Sequence, residues 1–553
     1  MAGVRPLTPH RGAGAYDAPD ARPFPTRRRL RKGPALADDR KWWTLGAVCV
    51  GLFMLLLDVT IVNVALPDIQ HSLHASFSNL QWVVSAYALS LAALLLTAGS
   101  LADLFGRRLL FAIGLGVFTV ASLACGLAAT SLVLIIARAV QGIGGAIMFA
   151  CSLALIAEAF HGRDRGVAFG VYGATTGAAV AVGPLVGGVL TQSLGWEWIF
   201  FVNVPIGIGA VAMTLLRVDE SRDPDAATID WPGLLTFSTA LFLLIFALVR
   251  GNEEGWGSTL IVSFLAGSVV LLLAFVLVER RRARPMLDLA LFAKPAFAGA
   301  SIVAFALSAS MFAMFLYLTL YIQDVLGFGP LDAGLRFLPV TLLSFFVAPL
   351  AGRLSVRLPV RALLGGGLLL VGVGLLLMRG LDASSGWTAL LPGFMVAGVG
   401  IGMINPPLVS TAIGVVPPAR SGMASGINST FRQVGIATGI AALGAIFEHL
   451  VRQRTASALV HAPPAAQQHA TQIAKAFTVG QGRELAARMP PPVRDMVLGA
   501  YRSSFAGALD QLLLIAGIVA LVGAVGGFVL VRQRDFVASG PGAAAGATAP
   551  VTA

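Results

Sequence analysis

Residues 47–67 read Ala47-Val48-Cys49-Val50-Gly51-Leu52-Phe53-Met54-Leu55-Leu56-Leu57-Asp58-Val59-Thr60-Ile61-Val62-Asn63-Val64-Ala65-Leu66-Pro67. Asp58 is the one charged group in the stretch, and a helix of this length crosses the roughly 30 Å hydrocarbon core of a bilayer. Similar stretches recur: the 553 residues are 57% hydrophobic and only 12% charged, far outside soluble composition. A window of about 19 residues predicts crossings near 43–65, 80–101, 109–129, 131–156, 167–193, 197–217, 231–249, 258–278, 296–321, 333–351, 361–379, 387–409, 422–447 and 506–531. The expectation is an all-α integral membrane protein, and a single anchored soluble domain is excluded.

Fourteen crossings put both termini on one side. The short connections of one parity hold seventeen basic residues, from Arg107 and Arg108 through Arg284 and Arg420 to Arg532 and Arg534, and those of the other hold two, Arg250 and Arg379. The positive-inside rule then assigns both termini to the cytoplasm. Residues 1–42, with the run Arg27-Arg28-Arg29-Leu30-Arg31-Lys32, read as a disordered basic tail suited to anionic lipid. No apolar region with a small-residue cleavage site follows, so a cleaved leader is not expected. Residues 532–553 read as a second disordered cytoplasmic tail, and residues 448–505 as a partly helical extracytoplasmic loop.

The turn Gly99-Ser100-Leu101-Ala102-Asp103-Leu104-Phe105-Gly106-Arg107-Arg108 has a degraded echo in Gly352-Arg353-Leu354-Ser355-Val356-Arg357-Leu358-Pro359-Val360-Arg361. If two spans are inserted, each turn joins the second and third helices of a six-helix set. The expected organisation is one set at 43–217, a linker with two extra helices at 218–295, and a second set at 296–531. Repeated halves suit alternating access around a midplane site.

Ionisable groups in hydrocarbon are costly and mark ion or substrate paths. Of the 27 acids, only Asp58 falls well inside a predicted span, and no histidine does. Asp58 lies seven residues before the end of the first span, and Arg138 seven residues into the fourth, so both sit roughly 10 Å below the same face. Such a pair can be a static packing element or a proton switch: burial favours the neutral acid and a nearby guanidinium favours the carboxylate, so small movements can decide its charge. Arg432, beside Gln433 and one turn from Asn428, is a second deep cation without an acid in its own span. A substrate anion, backbone carbonyls or polar groups of another helix must compensate it. With Asp58 offset by Arg138, the surplus Arg432 favours neutral or weakly anionic guests over dications. Asn63, Gln141, Asn428, Arg432 and Gln433 are the candidates for lining a substrate cavity. Gly173, Gly177, Gly183, Pro184, Gly187 and Gly188 predict a closely packed or hinged fifth helix.

Other chemistry finds no groups. Cys49, Cys125 and Cys151 sit in apolar runs without paired or ligand spacing, and His71 and His74 lack further ligands. No metal, cofactor or catalytic residue is expected, and no Gly-Lys-[Ser/Thr] element points to an ATP-driven pump.

Five segments together resemble the major facilitator superfamily, specifically its fourteen-span drug:proton antiporter family. Leu57 to Pro67 is similar to the first-span motif, Gly99 to Arg108 to the superfamily turn with Leu104 where a basic residue is common, and Arg138 to Ala146 to the fourth-span motif. Gly183-Pro184-Leu185-Val186-Gly187-Gly188 resembles the fifth-span antiporter motif with Ala179 at its first glycine, and Trp196 to Pro205 resembles a further motif with Glu197 in place of an Arg. The resemblance implies two six-helix bundles with two helices between them, in a bacterial cytoplasmic membrane, exporting small amphipathic drugs, antibiotics or metabolites against proton entry. Asp58 and Arg138 would couple protons, and Gly99, Asp103, Gly106, Arg107 and Arg108 would latch one conformation. The expected partners are a small-molecule substrate, protons and lipid, with no nucleic acid. A monomer suffices, joined by a periplasmic adaptor where an outer membrane exists. Solute uptake by symport or facilitation on the same scaffold is the alternative.

Overall fold

The structure is a computed structural model. It describes Gly3 and residues 34–160, 163–222, 230–282, 285–355, 357–416, 421–459, 470–478, 481–487 and 489–536. Most of the basic tail, the last seventeen residues, and Arg284 and Arg420 lie outside the described residues. Contacts divide the chain into Met1–Asp39 and Arg40–Ala553, and the second unit holds the membrane part.

Among the described residues, fourteen helices are long and apolar enough to cross a membrane. They are α1 (Pro34–Leu73), α2 (Phe77–Phe105), α3 (Arg107–Gly126), α4 (Ser131–Ala159), α5 (Arg163–Leu194), α6 (Trp198–Arg217), α7 (Trp231–Glu254), α8 (Thr259–Arg281), α9 (Pro295–Val325), α10 (Pro330–Leu354), α11 (Val360–Leu377), α12 (Leu391–Gly414), α13 (Ser421–Ala458) and α14 (Pro491–Leu530). Local chemistry sets many of the boundaries. Ser76, Thr130, Asp230 and Ser258 cap α2, α4, α7 and α8 by accepting a backbone N–H three residues on, as N-caps do. Gly106, at φ +115°, turns the chain between α2 and α3, a conformation that costs glycine little.

Several helices run past the hydrophobic windows. α1 continues to Leu73 and takes in Asp68 and His71, so a histidine does lie in a spanning helix. α13 extends to Ala458 and α14 starts at Pro491, and the predicted loop between them also contains helices Ala470–Thr478 and Gly482–Ala487. Hydropathy detects the lipid edge, whereas a helix continues wherever its backbone ladder is satisfied. α9 holds two π-helical turns, Ser308–Phe312 and Tyr321–Val325.

Small residues dominate the helix contacts, as expected where lipid leaves little hydrophobic drive between helices. A Cβ on Gly142 would fall 2.5 Å from the Tyr87 carbonyl oxygen of α2, and one on Gly144 2.6 Å from the Phe118 amide of α3. Gly435 and Gly439 bring α13 equally close to α9. α2, α3, α4 and α6 pack together, as do α9 to α14, while α2 meets α13 and α5 meets α10. The pair α7 and α8 adds to the side, with α7 touching α2 and α13.

The α5–α10 contact is lopsided. Gly188 would place a Cβ 2.6 Å from the Pro330 carbonyl oxygen, and Gly334 one 2.4 Å from that of Pro184, whereas a Cβ at Gly170 or Gly173 meets nothing within 4 Å. One end of the helix pair is clamped and the other is open. Gly173 is therefore not a packing glycine in this conformation, so it does not meet the packed half of the packed-or-hinged expectation. Gly177 faces Phe345, and Gly183 and Gly187 face Thr60 and Ile61 of α1. Gly188→Ala is expected to destabilise by about 1–3 kcal/mol through overpacking, seen as a lower melting temperature of the purified protein. Gly173→Ala should leave it unchanged or raise it, since alanine favours helix by about 0.5–1 kcal/mol.

Candidate functional site

α4 presents Arg138 and Gln141 one turn apart on the face that looks toward α1, and Gly142 behind them lets α4 sit directly on α2. Arg138 Nη1 donates to Asp58 Oδ2 at 2.5 Å and to Gln141 Oε1 at 2.7 Å, and its Nε donates to the Val83 carbonyl at 3.2 Å. Gln141 Nε2 donates to Asp58 Oδ1 at 2.9 Å and to Ser122 Oγ at 3.0 Å, and Asn203 Nδ2 donates to the same hydroxyl at 3.0 Å. The Arg138 guanidinium lies over the Tyr87 ring at 4.2 Å. Exposure is 0% for Asp58 and 1% for Arg138. The matching depth read from the sequence is thus a direct contact, closed around by polar groups from α2, α3, α4 and α6.

A narrow cavity adjoins this pair on the other side of α1. Val59, Thr60, Asn63 and Val64 line it, with Val84, Val180 and Pro184, and Phe312, Phe315, Thr319, Phe337, Thr341, Ile436 and Ile440 complete the wall. It offers about 40 Å³ to water centres, enough for about three waters. A drug-sized guest, which needs several hundred Å³, enters only as helices separate.

Of the five cavity candidates, Asn63 is on the wall. Gln141 is not: its amide is committed to Asp58, Arg138 and Ser122. Asn428 is buried against α9, donating to the Ala300 carbonyl at 3.4 Å. Arg432 stands over the Phe312 ring at 5.9 Å, and Gln433 keeps a buried Oε1 without a partner. Residues three or four apart share a helix stripe, but which stripe meets the cavity depends on the neighbouring helices.

Residues 48–440 match the family described as Major Facilitator Superfamily, which is well over half of the chain. The chain belongs to this superfamily. It is 38% identical to the Multidrug resistance protein Stp of Mycobacterium tuberculosis over 404 residues, 73% of this chain and 75% of that protein. It is 33% identical to the Tetracenomycin C resistance and export protein of Streptomyces glaucescens over 488 residues, 88% of this chain and 90% of that one. The fold is also that of a crystallised bacterial homologue of the human lysosomal transporter Spinster in an inward-facing, occupied conformation, with a TM-score of 0.60 and 17% identity across 90% of this chain and 99% of the other. This is a multi-pass membrane protein of a transporter superfamily.

The superfamily turn between α2 and α3 is tied to the chain after α6. Glu220 accepts the Arg108 and Leu109 amides at 3.0 and 3.2 Å, so its carboxylate caps the N-terminus of α3 where a negative charge suits the dipole. Its side chain also lies 3.7 Å from Arg108 Nε, and Arg107 lies 3.8 Å from Glu158. A Cβ on Gly99 would meet nothing, and the Asp103 side chain lies outside the described ones. Glu220 escapes a sequence reading because its partners are more than a hundred residues away.

Asp324 escapes it for another reason. It sits in the second π turn of α9, beyond the predicted end of that span, yet is 8% exposed and 3.9 Å from His71. Next to it Gln323 Nε2 donates to the Val64 carbonyl of α1 at 2.7 Å.

Removing one partner of a buried ion pair leaves the other uncompensated, at about 3–5 kcal/mol. Arg138→Gln is expected to lower stability by that amount in detergent denaturation, and adding Asp58→Asn to recover most of it. Additive losses would show that the pair is not coupled.

Proposed function

We propose that this protein exports small amphipathic drugs, antibiotics or metabolites by alternating access, exchanging them for protons carried by Asp58. In this reading residues 43–217 and 296–531 are the two moving bundles, 218–295 supplies two flanking helices, and both termini are cytoplasmic. A monomer is sufficient, since one chain supplies both halves. A periplasmic adaptor joins it only in cells with an outer membrane. The clustering of resistance and export proteins among its relatives supports the direction of transport.

One observation carries the coupling: α1 holds Asp58 against Arg138 on one side and lines the cavity with Val59, Thr60 and Asn63 on the other. When Asp58 is charged, a charge-assisted bond and the Gln141 amide hold α1 against α4. Protonation removes the ionic attraction, α1 can shift from α4, and the cavity wall moves with it. Release of the proton on the opposite side restores the pair and resets the wall. Each proton entering down 100 mV supplies roughly 2.3 kcal/mol, or about 50-fold accumulation of a neutral substrate. A single deep carboxylate fits a low proton count per cycle.

The turn around Gly99, Asp103, Gly106, Arg107 and Arg108 acts in this scheme as a latch. In this conformation its ionic contacts, to Glu158 and Glu220, lie within the first bundle and the chain that follows it.

In inside-out vesicles, Asp58→Asn is expected to abolish pH-driven accumulation of a dye or antibiotic while the protein still reaches the membrane in normal amount. Undiminished transport by this variant would leave the pair a static packing element. Accumulation with the opposite polarity would make the protein an uptake system.

A further inference from the structure

Arg432 lies deep in a spanning helix but is only half-buried, whereas Arg138 is fully buried. It lies nine residues into the span that starts at Met423, roughly 14 Å along the helix. Among the described residues, no carboxylate lies within ion-pair distance of it. A guanidinium at this depth is expensive unless something neutralises it, and the described residues supply no carboxylate to do so.

Its position indicates what could. The guanidinium lies 5.9 Å from the Phe312 ring, and Phe312 is part of the cavity wall. Ile436, one turn further along α13, is part of the same wall. Arg432 therefore neighbours the cavity wall, through Phe312 and one helical turn from Ile436. The rings along the wall form a ladder, with Phe312 6.0 Å from Phe315 and Phe315 5.3 Å from Phe337. Phe312 ends a π turn, a distortion frequent at functional sites. The polar lining is neutral: Thr60, Asn63, Thr319 and Thr341. No acid is among the lining residues, and Asp58 is already paired on the far side of α1.

We propose that the cavity selects planar aromatic anions, with the phenylalanine ladder taking the ring system and Arg432 taking a carboxylate or phenolate beside Phe312. This rests on the export reading above and adds the charge class of the substrate. A guanidinium fork pairs with a planar oxyanion through two parallel hydrogen bonds, and aromatic faces offset-stack on a flat guest. A cationic guest would meet no carboxylate on the wall and a positive charge beside it. A neutral guest would stack but leave Arg432 uncompensated.

The test uses two xanthene dyes with related ring systems and opposite charge, anionic fluorescein and the cationic methyl ester rhodamine 123 (hereafter rhodamine), and the purified full-length protein in lipid nanodiscs. Fluorescence anisotropy is expected to show fluorescein binding at least tenfold more tightly than rhodamine. Arg432→Gln should weaken fluorescein by about tenfold or more, the loss of a charge-assisted pair, and leave rhodamine equal or tighter. Arg432→Lys, which keeps the charge without the fork, should retain the preference for fluorescein at reduced affinity. Equal affinities for the two dyes, no fluorescein binding, or parallel loss of both dyes in Arg432→Gln overturns the proposal. Equilibrium binding without a pH gradient separates it from the coupling scheme: a preference for fluorescein stands whether or not transport is driven by protons, and its loss leaves the proton scheme untouched.

Discussion

A carboxylate and a guanidinium out of water must meet, and that requirement organises this structure. Either charge alone in the membrane interior would be strongly disfavoured, and together they stay only if geometry and secondary hydrogen bonds are good. Here Gln141, Ser122, Asn203 and the Val83 carbonyl complete the set. To bring them together, α4 must lie against α2 and α3 at backbone distance, which Gly142 and Gly144 permit. The polar network and the glycine pattern are thus one constraint, since bulkier residues at the glycines would hold the helices too far apart for the hydrogen bonds.

The same constraint explains why α1 is suited to transmit a change of charge. It touches Arg138 through Asp58, α5 through Thr60 and Ile61, and the cavity through Val59 and Asn63. At its far end the Val64 carbonyl accepts from Gln323 of α9. A shift in α1 is felt at all of these contacts. Gly188 and Gly334 bring α5 and α10 to backbone distance at one end, while Gly170 and Gly173 at the other meet nothing. The two deep arginines differ in their partners: Arg138 is paired within the protein, and Arg432 stands over the Phe312 ring with no carboxylate in ion-pair distance among the described residues.

Much of this was legible in the chain. Hydropathy alone located fourteen crossings, because twenty apolar residues in a row have few other uses. The depth argument brought Asp58 and Arg138 together because both are rare groups in apolar runs and helix rise is constant. The helix ends were less legible. α1 and α9 continue as helices beyond the hydrophobic windows, so His71 and Asp324 belong to spanning helices despite lying outside those windows. Gln141 read as a cavity residue and is instead part of the ion-pair network. Asn428 binds α9, and Gly173 faces open space although its neighbours Gly183 to Gly188 pack as expected.

The sequence by itself determined the bilayer as solvent, the number of crossings, the pairing of the two deepest opposite charges and the helix that carries most of the small residues. These follow from composition and from distances along single helices, which every segment carries locally. Tertiary structure alone decided which stripe of each helix faces a cavity, a neighbour or another chain segment. It made Glu220 the cap of α3, placed Phe312 under Arg432, and left one end of α5 clamped and the other open. Those outcomes depend on the rotation and spacing of helices hundreds of residues apart, and no local pattern encodes a contact that only close packing creates.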